Sequence, residues 1–409
     1  MKRYQTQGQL PYLFLYSFVV LFVGMGLMPV LPLFAAGFGA SSSVTGLYLS
    51  IIYVSITTST LLTGWLGNRV GRKRLYLLSA SMGVIALALM GQANTLWQVV
   101  VLTAIVWFSG GINLTLVNIF TGLYASREKR GSWFSTISLA SPLGAIVGGL
   151  VIGKLIDVSG YPLMFVVISL VWAIGPLIAS QKLFDINTAD SRPAEVPAST
   201  VPTMKRERAP ILLLMGAILF SMTTVNTGRL ALPVLMSSLQ YSPRDVTTAN
   251  VMAGLITLPF AYSLGTLSDR MGRKMVLSLG YLLAGAAVLV LFFAGPLWQF
   301  WLAAALMLIA LTVSGSVASA FATDLLSPGV IVRVLPWINS VGFVAGILGF
   351  SVAGVVIDSI GMQALLGFSA FLALLACAFL YPLHCEKQLA AIFEPAWTCD
   401  ISIRPSHKP

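Results

Sequence analysis

Arg229 is the residue whose position asks most for a chemical explanation. It stands inside the apolar run 209–236, with Thr223 and Asn226 six and three positions before it. At spacing i, i+3, i+6 the three fall toward one side of a helix. A guanidinium offers five N–H donors and no acceptor, in a fork that matches a carboxylate or phosphate. A charge in a membrane-length run is costly and by default marks a functional site. The alternative is an anchor whose long side chain reaches the nearer interface, or caps a gate there, since Arg229 falls in the outer third of the run. A second constellation lies in the run 97–122, where Trp107, Gly111, Thr115 and Asn118 share a narrow helical face. An aromatic ring with two hydrogen-bonding side chains suits an amphiphilic ligand, although Trp107 alone also suits plain packing. Asn113 points elsewhere and fits an interhelical hydrogen bond. Ser314, Ser316 and Ser319 add hydroxyls of undetermined facing.

Other chemistries find no support. The chain has no metal-ligand pair, no nucleophile beside a base and no Gly-x-x-x-x-Gly-Lys phosphate loop, so neither an enzyme nor an ATP-driven pump is expected. Cys377, Cys385 and Cys399 are odd in number and give no disulfide framework. His384, Cys385, Cys399 and His407 match no zinc spacing, so no metal or other cofactor is expected.

These residues must be positioned by elements that live in lipid. Of 409 residues 57% are hydrophobic and 9% charged, with mean hydropathy +0.90, whereas soluble chains carry about 25% charged residues. Helices need roughly 20 apolar residues to cross. Apolar runs at 11–35, 43–66, 75–92, 97–122, 132–155 and 162–182 read as six spans. Those at 209–236, 246–267, 275–294, 298–325, 335–357 and 362–383 read as six more. The expected fold is all-α, with twelve transmembrane helices in two six-helix halves, 1–182 and 209–383. A linker at 183–208 and a tail at 384–409 complete the chain. The first run is too long for a signal peptide. With both termini inside, 21 of the 24 Lys and Arg residues fall in cytoplasmic segments. That asymmetry orients the chain and accounts for its net charge of +11 without nucleic acid.

Residues of the first half recur 201 positions later without a gap. Gly71-Arg72-Lys73 pairs with Gly272-Arg273-Lys274, Leu96-Trp97-Gln98 with Leu297-Trp298-Gln299, and Gly148, Asp157 and Gly160 with Gly349, Asp358 and Gly361. An even number of spans returns the chain to the same side, so the halves form a parallel repeat. Between spans 2 and 3 the chain reads Gly64-Trp65-Leu66-Gly67-Asn68-Arg69-Val70-Gly71-Arg72-Lys73-Arg74. Between spans 8 and 9 it reads Gly265-Thr266-Leu267-Ser268-Asp269-Arg270-Met271-Gly272-Arg273-Lys274. Both resemble the signature loop of the major facilitator superfamily. The acid of that motif is Asp269 in the second copy but Asn68 in the first. Asp324 is a further partner for Arg270 or Arg273, and its first-half counterpart is Leu123.

The resemblance implies a secondary transporter working by alternating access, with spans 1, 4, 7 and 10 lining a central cavity. Trp107, Thr115, Asn118, Thr223, Asn226 and Arg229 are then substrate-contact candidates. Gly64, Asn68, Arg69, Gly71, Arg72, Gly265, Asp269, Arg270, Gly272, Arg273 and Asp324 are candidates for a latch between halves. Pro142, Gly144, Gly148 and Gly149 in span 5 partly resemble the motif of drug antiporters in that superfamily, and small residues at this spacing also serve close helix packing. The basic residue those relatives commonly carry in span 4 is absent. Every acid lies off the midplane and no His lies within a span, so a group for proton coupling is not apparent. The expectation is a monomer in the plasma membrane, exporting a small amphiphilic or drug-like solute. The alternatives are an importer of a sugar or organic anion and a non-transporting sensor.

Overall fold

A computed structural model describes residues 8–124, 130–183, 204–326 and 328–383. Most of the 183–208 linker and the whole 384–409 tail fall outside the described residues. The first half runs α1 (Leu10–Leu27), α2 (Leu31–Ala36), α3 (Ser42–Val70), α4 (Arg72–Met90), α5 (Leu96–Tyr124), α6 (Arg130–Ser138) and α7 (Ala140–Lys182). The second runs α8 (Met204–Ser238), α9 (Pro243–Met271), α10 (Arg273–Phe292), α11 (Leu297–Leu325), α12 (Pro328–Ser359) and α13 (Met362–Leu380). No strand occurs among the described residues.

Among the described residues, ten helical segments are long and apolar enough to cross a membrane. One of them, Thr136–Lys182, holds two passes, because Gly160 (φ 71°, ψ −179°) interrupts α7 with a backbone no side-chain-bearing residue adopts easily. The less apolar α9 is the repeat partner of α3. The count is therefore twelve. The 11–35 run is not one helix, however. It breaks at Met28–Val30, where Pro29 and Pro32 supply no N–H and divide it into α1 and α2.

The 201-residue repeat is written into the backbone. Gly71 and Gly272 separate α3 from α4 and α9 from α10 at φ 89° and 87°. Gly160 and Gly361 both have positive φ, and so do Gly39 (79°) and its counterpart Gln240 (64°). Ser41 caps α3 by accepting a bond from Val44 N, and its counterpart Ser242 caps α9 in a reciprocal box with Asp245.

Burial is inverted relative to a soluble protein. Leu61, Leu78, Leu170, Leu212 and Leu374 are exposed, whereas Ser59, Thr63, Asn113, Ser169, Thr224 and Thr227 are buried. Apolar side chains meet lipid as readily as protein, so polar groups collect between helices where they find partners. Asn113 accepts from Ser79 of α4 at 2.7 Å, the kind of interhelical bond worth about 0.6 kcal/mol in a membrane.

The halves meet along two long seams, α3 against α12 and α7 against α9, while α1 packs on α7. Small residues make this approach feasible. A Cβ on Gly144 would stand 2.8 Å from Leu21 O, and one on Gly148 would collide with Phe22 O. Gly149 faces the α9 backbone at Thr247 in the same way. The span-5 residues Gly144, Gly148 and Gly149 thus serve packing directly, and Pro142 offers its carbonyl surface to Gly254 of the other half.

Candidate functional site

Three adjoining cavities lie between the halves, and Arg229 is in the wall of each. One, of about 180 Å³, is lined by Met25, Met28, Val106, Trp107, Leu114 and Trp172. Another, of about 200 Å³, has Asn226, Ser314 and Asn339 in its wall. A smaller one, of about 60 Å³, lies by Pro29, Pro233 and Asn250.

Arg229 does not turn to an interface. Its Nη1 donates to Tyr53 Oη at 2.9 Å, and Tyr53 Oη donates to Asn226 Oδ1 at 2.9 Å. Asn226 in turn donates to the Met222 carbonyl one turn earlier. Tyr53 belongs to α3 of the first half and Arg229 to α8 of the second, so this chain of bonds crosses the cavity. Its ring lies over Gly346 and against Phe350, at 5.3 Å between centroids, and any side chain at 346 would occupy its place. By helical rise, Tyr53 lies roughly 17 Å from the Ser42 end of α3 and Arg229 roughly 14 Å from the Ser238 end of α8. Both residues therefore stand more than about two helical turns inside the Ser42 and Ser238 ends of their helices.

Of the other predicted contacts, Trp107 and Asn226 line the cavities. Thr223 packs its backbone on Gly349 instead. Thr115 returns its hydroxyl to Gly111 O at 2.8 Å. Asn118 is exposed, about three turns along α5 from Trp107 toward the Gly71/Gly272 end. Ser314 is a cavity residue, Ser319 donates to Asn339, and Ser316 bonds within its own helix. Tyr53 was missed by sequence reasoning. A polar tip among the β-branched residues of span 2 was the only signal for it.

The glycine turns mark the basic end of the bundle. Lys73 donates to Ser180 O at 3.0 Å and its counterpart Lys274 to Tyr381 O at 2.7 Å, each reaching carbonyls near the end of the last helix of its own half. Arg273 donates to Ala320 O and pairs with Asp324 at 3.0 Å. In the first half Arg72 Nη1 is buried without a partner among the described residues. Arg69 lies over the Trp65 ring at 4.2 Å, Asn68 and Arg270 are exposed, and Gly64 has open space around it. The surroundings of Gly265 and the side chain of Asp269 lie outside what the structure describes.

At the opposite end the seams carry charge. Ser43 N, in the first turn of α3, donates to Asp358 Oδ2 at 2.7 Å. The repeat places Arg244 where Ser43 stands and Asp157 where Asp358 stands, and these two pair at 3.4 Å. The Ser43 hydrogen bonds push the Asp358 carboxyl down to about 2, with the Ser41 and Ser42 hydroxyls adding to them.

The sequence model for the Major Facilitator Superfamily matches residues 13–228 and again 213–388. The chain belongs to that superfamily. It is a multi-pass membrane transporter rather than an enzyme. Among curated relatives, Multidrug resistance protein MdtG of Salmonella typhimurium is 26% identical over 285 residues, covering 66% of this chain and 69% of the relative. The MdtG of Salmonella dublin is equally similar over 288 residues. A solved bacterial homologue of the human lysosomal transporter Spinster has a TM-score of 0.72 at 14% identity, covering 92% of this chain and 96% of the other. A POT family transporter solved with 5-aminolevulinic acid has a TM-score of 0.70 at 12% identity, covering 91% and 94%. At these identities the two solved structures speak for the fold alone.

Proposed function

We propose that this chain exports a small amphiphilic, drug-like solute across the plasma membrane by alternating access, with the linker, both termini and the glycine turns on the cytoplasmic side. The observation that carries the reading is the central cavity itself. It is walled mainly by Met, Trp and aliphatic side chains, with one cation, Arg229, and the amides of Asn226 and Asn339 among them. An apolar enclosure with few polar groups takes amphiphiles better than sugars, which need a hydrogen-bond partner for each hydroxyl. The similarity to multidrug resistance proteins supports export. Asp358–Ser43 and Asp157–Arg244 join the halves at the far end, which supports reading this as a state closed on the side away from the glycine turns. The glycine turns and their Arg and Asp residues would then exchange partners across the halves in the opposite state.

Protein-dependent net flux of a fluorescent amphiphile in proteoliposomes, with and without a pH gradient, tests this. Flux that rises with an opposing proton gradient supports coupled export. Accumulation of a sugar or small organic anion in place of the amphiphile would favour import, and no flux of either would favour a sensor.

A further inference from the structure

The polar groups facing the cavity are unequally satisfied: the Ser314 hydroxyl is buried without a partner among the described residues, and Arg229, the cation in the wall, has the most donors to spare. Tyr53 both donates and accepts, and Asn226 both accepts and donates. Arg229 has five N–H donors, and among the described residues its one hydrogen bond is that to Tyr53. Among the described residues no acid pairs with it. All thirteen Asp and Glu residues of the chain lie in termini, loops, linker or span ends. Those described near the seams are engaged elsewhere, Asp157 with Arg244, Asp358 with Ser43 and Asp324 with Arg273. A cation in the wall of a largely apolar cavity, with unspent donors and no counter-charge among the described residues, attracts an anion and repels another cation.

From this geometry we infer that the cavity selects amphiphiles bearing one oxyanion, a carboxylate or its equivalent. The head group takes the guanidinium of Arg229, and the apolar body enters the cavity between Met25, Met28, Trp107 and Trp172. The head group also competes with Tyr53 for the Nη1 donor, so its arrival exchanges a bond between the halves for a bond to ligand. This inference deepens the export reading and rests on it only for the route by which the ligand leaves. A guanidinium fork that meets two oxygens at once also predicts that Lys is an incomplete substitute.

The test is equilibrium binding to the purified full-length protein, read by intrinsic tryptophan fluorescence. The probes are three ligands of one shape: 1-naphthoate, 1-naphthamide and 1-naphthylmethylammonium. The expected order is naphthoate at least tenfold tighter than naphthamide, with the ammonium weakest. Arg229→Gln should abolish the preference, and Arg229→Lys should retain part of it. Tyr53→Phe should keep or raise naphthoate affinity, because it releases Nη1. Equal affinities for naphthoate and naphthamide, no naphthoate binding to folded wild-type protein, or a preference that survives in Arg229→Gln each overturn the inference. The wild-type comparison stands even if a variant misfolds. Flux in proteoliposomes is scored separately. Anion-selective binding without flux upholds the site and defeats the transporter reading, and flux that favours the ammonium does the reverse.

Discussion

Replacing Asp358 with Asn removes one charge at the edge of the α3–α12 seam and changes little else. Asp358 accepts from Ser43 N, an otherwise unpaired donor in the first turn of α3, where the helix dipole also favours negative charge. A hydrogen bond to a charged group is worth about 1.5–3 kcal/mol when shielded. Asp358 is exposed, so screening brings the figure closer to about 1 kcal/mol. If the contact exists only with the far end closed, losing it shifts the closed-to-open ratio about fivefold. Asp157→Asn acts on the other seam and shares no partner with Asp358, so the two should add to roughly 2 kcal/mol, about 30-fold. Spin labels at 97 and 298, both exposed at the far end of opposite halves, report the separation when Cys377, Cys385 and Cys399 are replaced. The longer-distance population should grow in Asp358→Asn and grow again in the double variant. The pH dependence has a definite sign. A carboxyl held near 2 in the closed state contributes fully above the ordinary value of 3.8 and is lost as pH falls from there toward 2. The distribution should therefore be constant between pH 8 and 5. A folded double variant with an unchanged distribution, or a wild-type protein that opens between pH 8 and 5, would refute the reasoning.

Further outcomes follow from the packing and the turns. Gly148→Val drives a branched side chain into Phe22 O and Gly26 and should lower the unfolding temperature by the equivalent of about 1–3 kcal/mol, whereas Gly64→Ala, which meets nothing within 4 Å, should leave it unchanged. Asp324→Asn leaves Arg273 without its 3.0 Å ion pair and should shift the distance distribution measured between labels at the two glycine turns, while Lys274→Met should lower stability with little effect on that distribution. Tyr53→Phe removes the bond between halves at 2.9 Å and should raise the rate of far-side opening severalfold, read by single-molecule fluorescence.

Much of the fold was legible because bilayer physics acts on every residue of a span at once. The repeat was legible for a related reason: a turn that needs positive φ admits few residues, so Gly71 and Gly272, or Gly160 and Gly361, persist where lipid-facing residues drift. The break in the first span was not, because hydropathy does not register that Pro29 and Pro32 withhold an N–H. Arg229 was visible as a charge among apolar residues, but its partner was not. Tyr53 lies 176 positions away in the other half, and nothing local fixes how α3 is rotated about its axis. The expected face was also too generous. Residues at i and i+6 differ by about 120° around a helix, which is why Thr223 meets Gly349 while Arg229 meets the cavity. Asn118 shares the face of Trp107 but not its depth.

A reversible lock at the far seam shows whether the two halves alternate about this cavity. A protein with Ser43→Cys and Asp358→Cys, free of its native cysteines, can be joined at that seam by a cleavable bifunctional thiol reagent. Joining should stop flux in proteoliposomes, leave ligand binding from the side of the glycine turns intact, and be undone when the reagent is cleaved. Undiminished flux through the joined protein would contradict the alternation.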